Sequence, residues 1–264
     1  MNPLMENEAQ VARERLVTGC ETMKDLLRGL LDSKGKVSEE IHGLRKLGKS
    51  LRGGFTLFGL GKSAALEIQA IGRLLSGPRD AVSRLNTWNK LAWAGAPAVV
   101  KAIHGLLEQQ THSAARRPPP ETVDWCLARV AMAQQELEGL PQAHLAETIG
   151  KGLVKLEKRT IKRCRNLDHR SEEDFHEARK AVKALMGAVG FLPEGAIPLD
   201  PKLHDLAEVL GDENDLATLG IWLGDHGFTR RFAPDLWKTM KAARHSKQKV
   251  AIRDGKELAG AKSK

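Results

Sequence analysis

The chain has 264 residues, 41% of them hydrophobic, which is enough to bury a core and argues against disorder throughout. Its 42 Lys and Arg exceed its 33 Asp and Glu, and the formal charge of +9 points to a polyanionic partner: nucleic acid, anionic lipid or a phosphate polymer. Three scattered cysteines, Cys20, Cys126 and Cys164, form no C-x-x-C pair, which argues against a disulfide framework or a thiolate zinc site and suits a reducing compartment.

The N-terminal stretch MNPLMENEAQVARER is polar and partly acidic and lacks the apolar core of a signal peptide. No later run approaches the length of a membrane span, so the reading is a cytoplasmic protein with no membrane attachment. Apolar residues recur at helical spacing with Gly or Pro breaks between them, and the fold class read from this pattern is all-α.

In chain order, a first helix leads through the turn DSKGKVSEE, residues 32 to 40, into the basic segment EEIHGLRKLGKSLRGG, residues 39 to 54. Ser38, followed by Glu39 and Glu40, suits the start of that second helix. At about 100° per residue, His42, Arg45, Lys46, Lys49 and Arg52 share one stripe while Leu44, Leu47, Leu51 and Phe55 gather opposite. The stripe runs about 15 Å along the axis, which favours a linear ligand with several negative groups over one small phosphate. Further on, LLSGPRDAVSRLNTW carries Asp80 into an apolar run ending at Trp88.

The clearest internal break is THSAARRPPPETVDW, residues 111 to 125, where three consecutive prolines cannot continue a helix. Beyond it KGLVKLEKRTIKRCR, residues 151 to 165, holds seven Lys or Arg and one acid, Glu157. Lys155, Lys158, Arg159, Lys162 and Arg163 share one side of this helix, and Leu153, Thr160, Ile161 and Cys164 the other. The matching positions of the first helix are Lys24 and Arg28. The turn NLDHRSEED, with Ser171 as its cap, then leads into EDFHEARKAVKALMGA, where His176, Arg179, Lys180 and Lys183 repeat the first stripe with Ala178, Ala181, Val182 and Leu185 behind them. VLGDENDLATLGIW places Asp215 and Trp222 as the first half places Asp80 and Trp88, so an internal duplication is the simplest account. The last stretch, residues 246 to 264, is basic with little apolar content and reads as a flexible tail.

A basic stripe on one helix is ordinarily a solvated face. Two copies of the H-x-x-R-K-x-x-K spacing are harder to attribute to solubility, which mixes charge signs. If the hairpins pack antiparallel, their basic sides line a shared groove or pore. Asp80 and Asp215 read as capping groups or as partners of basic residues that hold the helices in register, and no loop-spaced oxygen cluster suggests a metal site. The tryptophans read as core, and His104, His112, His144, His204 and His226 as surface or packing residues.

The two H-x-x-R-x-x-x-K helices, RDAV at residues 79 to 82 and LGDENDLATL at residues 210 to 219 resemble the CHAD domain, the conserved histidine α-helical domain, over about residues 10 to 245. The resemblance implies a stand-alone single domain of two four-helix repeats, about 10–117 and 121–245, forming a bundle around a basic central channel. It also implies non-catalytic binding of inorganic polyphosphate, no cofactor, and association with polyphosphate granules. The chain departs from the family at Met186, where the position matching Arg52 is often arginine, at Glu157, and in having no tyrosine. The residues assigned to the polyanion are His42, Arg45, Lys46, Lys49, Arg52, His176, Arg179, Lys180, Lys183, Arg159, Lys162, Arg163, Lys24 and Arg28. The alternative is nucleic-acid backbone on the same helices, disfavoured because neither stripe interleaves aromatic residues for base stacking. An enzyme of phosphoryl transfer is disfavoured because GLGK, residues 59 to 62, falls short of a phosphate-cradling loop.

Overall fold

The computed structural model describes residues 5–32, 35–113 and 116–261, with Pro78 and Arg79 described by backbone alone. Parts of the first turn, of the central break and of the C-terminal end, and the side chain of Arg79 in the RDAV motif, lie outside the described residues. Among the described residues there are ten helices and no strand: α1 (Glu6–Asp32), α2 (Val37–Leu57), α3 (Ala64–Leu74), α4 (Ser76–Asn89), α5 (Pro97–Ser113), α6 (Pro120–Glu138), α7 (Leu145–Arg165), α8 (Glu172–Val189), α9 (Lys202–Asp225) and α10 (Pro234–Ala261). The all-α fold class is as the periodicity implies. Ten is two more than two repeats of four. α3 and α4 are separated by Leu75 alone, and α6 lies within the span read as the second repeat, which therefore holds five helices, α6 to α10.

The proline run does what its chemistry dictates. α6 opens at Pro120, the third proline, where a missing N–H costs nothing because the first turn has no partner for it. Ser171 caps α8, its Oγ accepting from the Asp174 N–H at 3.3 Å. Ser38 does not cap α2. The helix starts one residue earlier, at Val37, and the Glu39 and Glu40 N–H groups both reach the Lys36 carbonyl, so Ser38 lies inside the first turn.

The chain forms two compact units, each built from three separate stretches: one from residues 1–76, 116–161 and 180–200, the other from 77–115, 162–179 and 201–264. Neither unit coincides with a half of the sequence, and α7 and α8 each contribute to both.

In the first unit α1 buries Ala9, Ala12, Leu16, Cys20, Met23, Leu27 and Leu30, a three-four alternation that presents one stripe to α2 and α6. α2 answers with Ile41, Leu44, Leu51 and Phe55, and α3 with Ile68 and Ile71. Leu47 is half-buried, beside the buried Gly48.

In the second unit Trp88, Ile103, Leu107, Leu219, Trp222 and Leu236 form the core, so Trp88 and Trp222 pack as read from sequence. Trp125, in the first unit, does not; it is 38% exposed with the Arg129 guanidinium 4.5 Å over its ring.

The C-terminal stretch corrects the expectation of a flexible tail, since residues 246 to 261 continue α10. Gln248, Ala251, Gly255, Leu258 and Ala259 are buried at helical spacing, and a Cβ at Gly255 would lie 2.9 Å from the Cys164 carbonyl oxygen. Three of these five, Ala251, Gly255 and Ala259, are small, which is why a count of bulky apolar side chains understates how well this stretch is seated. Residues 262 to 264 lie outside the described residues.

Candidate functional site

α2 is the central element of the first unit, and glycines set how closely its neighbours approach. A Cβ at Gly53 would clash with the Ala184 carbonyl oxygen and lie 2.7 Å from the Ala188 nitrogen, and one at Gly187 would lie 2.8 Å from the Ser50 Cα. α2 and the end of α8 therefore cross backbone against backbone. Lys49 and Arg52 flank the contact residues on one helix and Lys183 on the other, so the C-terminal ends of the two basic motifs meet within one unit. α7 makes a similar approach, because a Cβ at Gly152 would lie 2.8 Å from the Leu57 carbonyl carbon. Arg159 stands two turns beyond Gly152 on the same face of α7.

Arg52 donates from Nη2 to Gln69 Oε1 of α3 at 3.2 Å, and Arg73 follows Gln69 by one turn. The Arg52 guanidinium is held below its ordinary value first by burial and then by the positive charges of Arg73 and Arg159. Three helices thus bring three arginines within electrostatic reach of one another, with Arg52 half-buried and Arg73 and Arg159 exposed. Arg73 is the one cation of α3 and belongs to no basic stripe, so the sequence alone does not mark it.

The other assigned residues divide. In the first unit His42, Lys46, Lys49 and Lys180 are exposed, Lys183 is half-buried, and Arg45 donates from Nη1 to the Ser76 carbonyl at 2.9 Å. Lys24 and Arg28 are balanced on their own helix, by Glu21 at 3.0 Å and Asp25 at 2.9 Å, acids three residues before each that the helical-wheel reading left out. In the second unit Lys162 is exposed and Arg179 half-buried. Arg163 lies 3.6 Å from Glu177, so the second basic motif is not free of carboxylates at its margin. His176 Nδ1 lies 3.1 Å from Asn214 Oδ1. Asp215 accepts from Ser83 Oγ at 3.1 Å and from Asn214 Nδ2 at 3.5 Å, neutral donors where the sequence suggested basic partners.

A second network in this unit was not legible in advance. Glu213, 2% exposed, accepts from Arg244 Nε and Nη2 at 3.2 and 2.7 Å and from Gln248 Nε2 at 3.0 Å, while Arg244 Nη1 reaches Glu172 at 2.6 Å. Burial pushes the Arg244 guanidinium down, and its bonds to Glu213 and Glu172 outweigh that, so the net shift is upward. Among the described residues no three His, Cys, Asp or Glu side chains gather so as to hold a metal ion, and no helix is long and apolar enough to cross a membrane.

The model of the CHAD domain matches residues 10–224 of this chain. The chain belongs to the CHAD family. That family is linked in general to polyphosphate binding. Two solved structures share its fold: the CHAD domain from the plant Ricinus communis, at 19% identity and a TM-score of 0.63, covering 94% of this chain and 91% of the other, and PptA from Streptomyces chartreusis, at 13% identity and a TM-score of 0.59, covering 96% and 99%. No match is found among curated proteins. At these identities the likeness speaks for the CHAD fold, and the roles of individual residues rest on the geometry above.

Proposed function

We propose that this CHAD protein binds inorganic polyphosphate without cleaving it, through the basic faces of α2, α7 and α8. The observation that carries the reading is the gathering of Arg52, Arg73 and Arg159, whose strongest charged influences on Arg52 are two further cations. Like charges within electrostatic reach of one another repel, and a polyanion between them is attracted by all three. Arginine forks suit adjacent phosphoryl oxygens, and Lys49 and Lys183, flanking the Gly53 and Gly187 contact, extend the cationic surface for a chain of phosphates. Asp215, the acid of the second motif, is engaged by Ser83 and Asn214, which supports a structural role over a catalytic one. The setting that fits is the cytoplasm, with polyphosphate granules as the place of binding.

The test is competition at physiological salt. Protein loaded with long-chain polyphosphate is challenged with pyrophosphate, single-stranded DNA and duplex DNA at equal phosphate concentration. Retention of the long chain is the expected result. Displacement by DNA would establish nucleic acid as the ligand, and steady release of orthophosphate would establish an enzyme.

A further inference from the structure

The second unit contains a chain of four polar side chains from three helices. Ser83 on α4 donates to Asp215 Oδ2, Asp215 Oδ1 accepts from Asn214 Nδ2 on α9, and Asn214 Oδ1 faces His176 Nδ1 on α8 at 3.1 Å. The order of donors is fixed from one end. An ionised carboxylate only accepts, so Asn214 must turn its NH2 toward Asp215 and its oxygen toward the imidazole. An amide oxygen only accepts as well, so His176 must carry its proton on Nδ1. A neutral His176 then has a lone pair, not a proton, on Nε2.

We infer that Asn214 and Asp215 are positioning residues that make His176 a proton-requiring contact for a polyanion. The inference rests on the polyphosphate reading above. With Nδ1–H committed to Asn214, a neutral ring offers a phosphate oxygen only the Nε2 lone pair, and two acceptors repel. Binding takes up one proton at Nε2, which turns that atom into a charged donor and leaves the Asn214 bond intact. A ring free to choose its tautomer would instead move its proton to Nε2 and donate while neutral, without a change in charge. The relay thus converts a contact indifferent to pH into one that weakens as pH rises.

The charged groups around the ring have partners or places of their own. On α9, Asp215 acts through Asn214, and Glu213 is engaged by Arg244 of α10 and Gln248. On α8, Glu172 is held by Arg244, Glu173 lies beside it, and Glu177 pairs with Arg163 of α7. Arg179 and Lys180 follow on α8, one turn beyond the histidine, and Asp80 precedes Ser83 by about one turn on α4.

Two measurements test this on the full chain. In free protein, long-range proton–nitrogen NMR reads the tautomer of His176 directly; the Nδ1–H form is expected, and a dominant Nε2–H form overturns the relay. Polyphosphate affinity measured at constant salt from about pH 6 to pH 8.5 reads the coupling, since an obligatory proton contributes up to about tenfold per pH unit. Asn214→Leu removes the acceptor. Asp215→Asn keeps the shape while freeing the amide to turn round, and covers the case in which the leucine variant does not fold. Both are expected to move the tautomer toward Nε2–H and to flatten the pH dependence toward neutrality and above. Unchanged slopes in folded variants whose tautomer has moved would overturn the coupling. If wild type binds no polyphosphate, the function proposed above falls and the coupling with it, while the tautomer measured in free protein still decides the relay by itself.

Discussion

Gly53 of α2 rests directly on Gly187 of α8; a Cβ on the first would lie 3.1 Å from the carbonyl carbon of the second. Backbone on both sides leaves nothing that can rotate away. Gly53→Ala is therefore expected to cost about 1–3 kcal/mol or more, read as a lowered Tm. Gly29→Ala on α1, where no atom lies within 4 Å, is the matched control and should stabilise by about 0.5–1 kcal/mol.

Arg73 offers a separation of stability from binding. Arg73→Gln removes a cation that acts on Arg52, so Tm of the free protein should stay level or rise while polyphosphate affinity falls. The slope of log affinity against log salt should drop by about 0.7–1 for each phosphate that the protein no longer neutralises. A variant that loses Tm and keeps its salt slope would remove Arg73 from the site.

Much of this architecture was written in the sequence. Ala178, Ala181, Val182 and Leu185 are all buried where the helical wheel puts them, and Ser171 caps α8, because periodicity and capping are local. What escaped depends on partners distant in sequence or on a neighbouring acid left out of the wheel. Arg73 matters through Arg52 on another helix, Glu213 through Arg244, and residues 246 to 261 through the closeness of Gly255 to Cys164. Lys24 and Arg28 illustrate the second kind, since each pairs with an acid three residues before it on the same helix.

Arg244→Met should be among the most damaging single changes in the second unit. It leaves the Glu213 carboxylate buried without its principal partner, at a cost of about 3–5 kcal/mol. Because the folded-state value of Arg244 is raised, its contribution is fully present below the unfolded value and is lost only as pH rises through the folded one. Arginine titrates far above neutrality, so the loss of stability on mutation should be the same at pH 6 and pH 9 as far as this group is concerned, a comparison that denaturant titration makes directly.

Deleting residues 246 to 264 should lower Tm sharply or abolish soluble expression, because the buried Ala251, Gly255 and Leu258 go with them. Unchanged melting would mean that this part of α10 contributes no packing energy.

The cysteines should be silent in the native protein. Burial pushes the thiols of Cys20 and Cys164 up to about 12 and that of Cys126 to about 11, so at pH 8 almost no thiolate is present, and none is accessible. A chromogenic disulfide reagent should titrate three thiols in denaturant and none without it.

Because each unit is assembled from three discontinuous stretches, the nascent chain cannot finish either one early. The first stays without its last segment until residue 200 has left the ribosome, and the second waits for α10. Cutting the gene at the proline run would yield two fragments, each holding incomplete portions of both cores. Such fragments should recover native structure only on being mixed, as complementing partners.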